Sequence, residues 1–170
     1  RSLGRRRRAA PGRGVVSIRV ALVDDQPLFR AGIAMVLGSQ PDLEIVGEAG
    51  DGDEVLALVE RTTPDVVVMD VRMPRVDGVA ATAALVAALG EGAPRVLVLT
   101  TFDLDEAALS AIEAGAAGFV LKSAEPELLL ASVRAVAAGN QVVAAGATRA
   151  LVERFPGNGG RVLGGQGRVL

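Results

Sequence analysis

Cysteine and histidine are both absent from the 170 residues of this chain. Disulfides, thiolate nucleophiles, Cys/His zinc sites and Ser-His-Asp chemistry are thereby excluded together. Tryptophan and tyrosine are missing as well, and four phenylalanines are the only aromatics. Valine, leucine and alanine must build the core of a chain that is half apolar. No apolar run is long enough to span a bilayer and the amino end has no signal-peptide h-region, so the expected compartment is the cytoplasm, with no membrane partner. No G-x-x-x-x-G-K-[ST] occurs, which removes a P-loop. Gly47, Gly50 and Gly52 lack the G-x-G-x-x-G order of a dinucleotide loop and read as part of a turn over Gly47 to Asp53. Lysine is nearly absent too: Lys122 is the single one.

What is present is a chain of one ordinary domain plus attachments, with an uneven charge. The net charge of −2 conceals six arginines and no acid in residues 1–14; the remaining 12 basic and 20 acidic residues leave a body at −8. An acidic body is a poor non-specific binder of nucleic acid. Residues 1–17, rich in Arg, Gly and Pro, have little to bury and are expected to be a disordered extension. The chain does not begin with methionine, so residues 1–14 read as translated upstream sequence, with a start at Val15 or Val16, in preference to a nucleic-acid-binding arm.

Four short apolar runs each stop at a chemically distinctive residue. Val20–Val23 stops at Asp24-Asp25, Val66–Met69 at Asp70, Val96–Leu99 at Thr100, and Phe119–Leu121 at Lys122. Runs of this kind read as buried parallel strands, and a further one is expected over Leu43–Val46. Between them lie helical patterns: Phe29, Ile33, Val36 and Leu37 after Pro27; Val55, Leu58 and Val59; an alanine-rich segment ending near Gly90; Leu104, Ala108, Ala111 and Ile112 after Asp103; and Leu129, Val133, Val136 and Ala137 after Pro126, stopping at Gly139-Asn140. Five βα units with short loops predict an α/β fold, a parallel sheet with helices on both faces and right-handed crossovers.

In such sheets ligands bind outside the carboxyl ends of the strands. Asp24, Asp25, Asp70, Thr100 and Lys122 would then share one edge. Three carboxylates brought together repel one another unless a cation compensates them, and Mg²⁺ prefers such oxygen ligands. A carboxylate beside the cation can serve as nucleophile toward phosphorus, with a lysine ammonium and a threonine hydroxyl for the phosphoryl oxygens. Phosphoryl transfer requires mainly positioning and charge stabilisation, so these few groups suffice. Taken singly, Asp70 is a strand-end cap, Lys122 a solvated surface residue and Thr100 a hydroxyl bonded to its own backbone; jointly they describe a site.

The ordered set of Asp24-Asp25, Val67-Val68-Met69-Asp70-Val71-Arg72-Met73-Pro74, Asp77-Gly78, Leu99-Thr100-Thr101-Phe102-Asp103 and Gly115–Lys122 resembles the receiver domain of bacterial two-component response regulators over about Ile18 to Asn140. The wording from Asp24 to Ile33 further resembles the NarL/FixJ (LuxR-type) branch. The resemblance implies a flavodoxin-like (CheY-like) doubly wound (βα)5 sheet with strand order 2-1-3-4-5. It also implies Asp70 as phosphorylation site, and Mg²⁺ held by Asp25, Asp70, the Arg72 carbonyl and, through water, Asp24. Thr100 and Lys122 would bind the phosphoryl group, and Phe119 would be the aromatic that changes rotamer on activation. The implied partners are a sensor histidine kinase as phosphodonor and a second copy on activation. Ser123 stands where many receivers have proline, and Phe119 where many have tyrosine.

That branch usually carries a helix-turn-helix output domain, reaching DNA through it alone. Here residues 141–170 read as a linker helix (Ala144, Ala147, Leu151, Phe155) and a tail with six glycines in its last fifteen residues. The expectation is a phospho-accepting switch, truncated or frameshifted before its DNA-binding half, that does not bind DNA with sequence specificity. The alternative is a free-standing receiver acting through protein contacts; the nucleotide sequence after the Phe155 codon separates the two. An Asp-nucleophile phosphatase, the rival in the enzyme class, needs a second acid two residues after Asp70, where this chain has Arg72.

Overall fold

The computed structural model describes residues 17–102, 105–142 and 162–163. The Arg-rich extension before Ser17, residues Asp103 and Leu104, and the helix expected over 144–155 lie outside the described residues.

Five strands run parallel in the expected order: β2 (Leu43–Ala49), β1 (Ile18–Val23), β3 (Val66–Asp70), β4 (Arg95–Thr100) and β5 (Gly118–Leu121). Their alternation explains the two layers. Ala21, Val23, Val67, Met69, Val96 and Val98 face a core closed by α2 (Val55–Thr62), α3 (Gly78–Leu89) and α4 (Glu106–Ala114). Val20, Leu22, Val66, Val68, Leu97 and Leu99 face the opposite core, closed by α1 (Pro27–Gly38) and α5 (Pro126–Ala137). A strand covered on both faces can be apolar at every position, which is why the runs appear unbroken in sequence.

The helices begin where the local chemistry permits. Pro27 and Pro126 open α1 and α5 at positions where no amide bond is lost. Asp77 caps α3 by accepting from the Ala80 N–H at 2.8 Å. α4 starts later than the sequence pattern suggests: Asp105, accepting from the Ala107 N–H at 2.9 Å, is its cap. α2 ends on Thr63 at φ 45°, left-handed for a non-glycine residue.

One expectation about the end of an element is corrected, and a further strand is added. Gly47 belongs to β2 and not to a turn: a bulge between Val20 and Ala21 brings Gly47 opposite Ala21, and a Cβ there would lie 2.6 Å from Leu58 Cδ1 of α2. A side chain there would have to displace that of Leu58. The segment after α5, ahead of the expected linker helix, forms a short parallel strand β6 (Gln141–Val142) on the edge of β5 that the sequence pattern did not show. Val162–Leu163, within the expected glycine-rich tail, pairs in turn with β6 as β7. The close approach of β6 depends on Gly118, where a Cβ would fall 1.9 Å from the Val142 carbonyl oxygen. None of the described helices is long and apolar enough to cross a membrane.

Candidate functional site

β1 and β3 lie side by side at the centre of the sheet, and their carboxyl ends present Asp24 and Asp70, both buried; exposed Asp25 completes the group. One carboxylate oxygen from each of the three lies within 4.8 Å of the others. Glycine makes the approach possible: a Cβ on Gly78 would lie 2.7 Å from the Asp70 carbonyl oxygen, so the loop after β3 closes only over a residue without a side chain. That closure is fixed by the Gly78 N–H donating to the Val71 carbonyl at 2.8 Å.

Lys122 arrives from the end of β5. Its backbone N–H donates to the Thr100 carbonyl at 2.7 Å, which sets the side chain over the acids. The ammonium donates to Asp70 Oδ2 at 3.0 Å and to Gln26 Oε1 at 3.1 Å, lies 3.0 Å from Asp24 Oδ2, and sits 4.4 Å from the centre of the Phe29 ring. Burial disfavours that ammonium, but the bonds and charges of Asp24 and Asp70 outweigh it and hold its pKa above the usual lysine value. For Asp70 the balance falls the other way. Burial pushes its carboxyl above the usual range, helped by the charge of Asp24, while Lys122 and the Arg72 N–H (3.2 Å to Oδ1) oppose the rise without cancelling it.

Asp24 Oδ1 accepts from the Gln26 N–H at 2.8 Å, and buried Oδ2 is paired with the Lys122 ammonium at 3.0 Å. All donors in the cluster are hard oxygens, the preference of a small divalent ion, and Asp24, Asp25 and Asp70 could hold one.

Thr100, expected at the phosphoryl group, is engaged elsewhere. The buried Thr100 hydroxyl donates to Asp105 Oδ2 at 2.8 Å, and the Arg72 guanidinium reaches Asp105 Oδ1 at 2.7 Å. Burial would raise the Asp105 pKa, but Thr100, the Ala107 N–H and Arg72 outweigh it and hold it below the usual range. Phe119 is fully buried, in the core shared with Val98, Ala108 and Ala111.

A further carboxylate governs the loop after Asp70. Asp51, fully buried, accepts from the N–H groups of Gly52 (2.7 Å), Val76 (2.8 Å) and Arg75 (3.1 Å), tying β2's exit to that loop across 24 and 25 residues. These bonds outweigh its desolvation, so its pKa is lowered. Sequence reasoning missed Gln26, Phe29, Asp51 and Asp105. Only Asp105 left a readable trace, as an acid ahead of an alanine-rich helical pattern.

This arrangement of a central acidic cluster, a strand-end lysine and a strand-end threonine on a five-stranded parallel sheet defines a receiver. The chain matches the response regulator receiver domain family over residues 20–134, and it belongs to that family. It is 46% identical over 125 residues to the uncharacterized transcriptional regulatory protein YxjL of Bacillus subtilis, covering 74% of this chain and 56% of that protein. It is 39% identical over 140 residues to the DNA-binding transcriptional activator DevR/DosR of Mycobacterium tuberculosis, covering 82% of this chain and 64% of the relative. The solved receiver domain of the response regulator NarL from M. tuberculosis superposes with a TM-score of 0.68 at 36% identity, covering 74% of this chain and 99% of that one. The chain thus spans somewhat over half the length of the curated relatives it matches, and it carries the receiver of a two-component response regulator of the NarL/LuxR type.

Proposed function

We propose that Asp70 accepts a phosphoryl group and that this converts the domain between two packing states. The observation that carries the reading is the position of Asp70: a buried carboxylate at the end of the central strand, 3.0 Å from the Lys122 ammonium and clustered with Asp24 and Asp25. An Asp70 oxygen forms the new P–O bond as the donor's bond to phosphorus breaks, and the electron pair leaves with the donor. Lys122 stands where charge on the phosphoryl oxygens develops and keeps Asp70 from being still harder to ionise. The residues for Mg²⁺ are Asp24, Asp25, Asp70 and the Arg72 carbonyl; when bound, the ion supplies neutralisation of the acids and of the phosphoryl charge. Hydrolysis of the acyl phosphate by water returns the resting state, which makes the chain a switch and not a metabolic enzyme.

With no histidine in the sequence, the phosphoryl group comes from another molecule, a sensor histidine kinase or a small phosphodonor. Exposed Leu28 on α1 borders an apolar groove of about 340 Å³ that runs between α1 and α5 to Lys122, a suitable surface for a protein donor. The relatives' names, a transcriptional regulatory protein and a DNA-binding transcriptional activator, support an output in transcription through a DNA-binding part distinct from this receiver; a homodimer on activation belongs to the same reading. Thr100 and Phe119 would carry the change to α4 and β5.

Incubation with acetyl phosphate and Mg²⁺ tests the reading. One hydroxylamine-labile phosphoryl group is expected, lost in Asp70→Ala. Undiminished labelling of that variant removes the assignment.

A further inference from the structure

The Thr100 hydroxyl has one hydrogen to donate, and the nearer of its two acceptors, ahead of the Phe102 carbonyl at 3.3 Å, is a carboxylate other than the one at the centre of the site. Asp105 receives it at 2.8 Å, with its side chain almost wholly buried. The same carboxylate caps α4 through the Ala107 N–H and takes the Arg72 guanidinium from two residues beyond Asp70. It therefore joins the end of β4, the start of α4 and the loop that follows β3. A charge-assisted bond of this length in a buried place is among the stronger ones a hydroxyl can make.

We propose that Asp105 is a positioning residue that competes with the phosphoryl group for the Thr100 hydroxyl and so sets how strongly the resting domain resists activation. This rests on the reading of Asp70 as phosphoryl acceptor. A phosphoryl group on Asp70 supplies acceptor oxygens beside the end of β4, where Asp70 pairs with Leu99, the neighbour of Thr100. Thr100 cannot donate to both acceptors. Turning to the phosphoryl group strips Asp105 of one of its three partners, leaving a buried carboxylate held by Arg72 and the Ala107 N–H. The opposition is direct, anion against anion for one proton, and it is located at the first turn of the helix expected to move.

The test is a cycle of four proteins: wild type, Asp105→Ser, Thr100→Ala and the double variant. Serine retains a helix cap while being too short to hold Thr100 and Arg72. Affinity for beryllofluoride with Mg²⁺, read by fluorine NMR, should rise roughly threefold to tenfold in Asp105→Ser, and the gain should vanish in the Thr100→Ala background. Asp105→Asn, which preserves cap and shape but not charge, should show a smaller gain and stands in if the serine variant does not unfold cooperatively. Unchanged or weakened binding in Asp105→Ser and Asp105→Asn overturns the proposal, as does a gain that persists without Thr100. A failure of the phospho-acceptor reading is distinguishable, since wild type itself would then bind no beryllofluoride and take no acetyl-phosphate label.

Discussion

Replacing Asp51 by alanine should be among the most damaging single changes outside the acidic cluster. The carboxylate is fully buried and accepts three backbone N–H bonds, at 2.7, 2.8 and 3.1 Å. Hydrogen bonds to charged groups contribute about 1.5–3 kcal/mol each, and the three are not additive. Gly52 keeps a second acceptor in the Val76 carbonyl at 3.1 Å, so two donors, those of Arg75 and Val76, lose the partner recorded for them. The expected loss is about 2–4 kcal/mol, a sizeable part of the ~5–15 kcal/mol that holds a domain together. Asp51→Asn retains one acceptor oxygen but turns an amide donor toward another N–H, and should cost about half as much. Urea unfolding at neutral pH followed by circular dichroism measures both. The lowered pKa of Asp51 fixes the pH dependence: its stabilisation is complete above the ordinary aspartate range and is lost as pH falls through the lower folded value. The gap between wild type and Asp51→Ala should accordingly narrow in acid. Because the loop it ties carries Arg72, Mg²⁺ affinity should fall in parallel. An Asp51→Ala protein within about 0.5 kcal/mol of wild type, the range of ordinary surface substitutions, or an asparagine variant as damaged as the alanine one, would refute the reasoning.

Asp70→Asn should have the opposite sign. The Asp70 carboxyl is held above its usual range, so its ionisation is paid for in folding free energy; neutralising it should raise stability at neutral pH, with the gain fading as pH falls into the range where the wild-type carboxyl takes up its proton, as thermal unfolding at several pH values would show. Lys122→Met removes the cation facing two buried carboxylates and should cost about 3–5 kcal/mol without metal, with Mg²⁺ recovering more stability in the variant than in wild type. Gly118→Ala places a methyl 1.9 Å from the Val142 carbonyl oxygen and should detach β6 while leaving the five central strands intact; amide exchange at Val142, bonded to the Ala117 carbonyl at 3.2 Å, reads this out.

The acidic edge was legible because each buried strand is a continuous apolar run that ends abruptly, so Asp24, Asp70, Thr100 and Lys122 stand out at the boundary. The layering follows from the same pattern with short crossovers, whereas the strand order was implied by the resemblance to receiver domains. What stayed hidden depends on partners distant in sequence. Arg72 meets Asp105 across 33 residues and Asp51 meets Val76 across 25, and neither pairing has a local periodicity to betray it. Gly47 misled for a related reason. Glycine near other glycines reads as a turn, whereas its lack of a side chain here answers to Leu58 on the helix above. β6 was invisible because two residues carry no alternation, and its existence depends on Gly118 in another strand.

The scarcity of lysine has a practical corollary. Lys122 is the one lysine in 170 residues, and its ammonium is shared among Asp70, Asp24 and Gln26 inside the acidic edge. An amine-directed reagent, which elsewhere scatters over a protein's surface, has a single side chain to find here. Its rate of attack depends on how tightly the carboxylates hold that nitrogen protonated. The extent of labelling at one position therefore works as a gauge of site occupancy, and the same scarcity means that one acylation event would strip the edge of its only lysine charge.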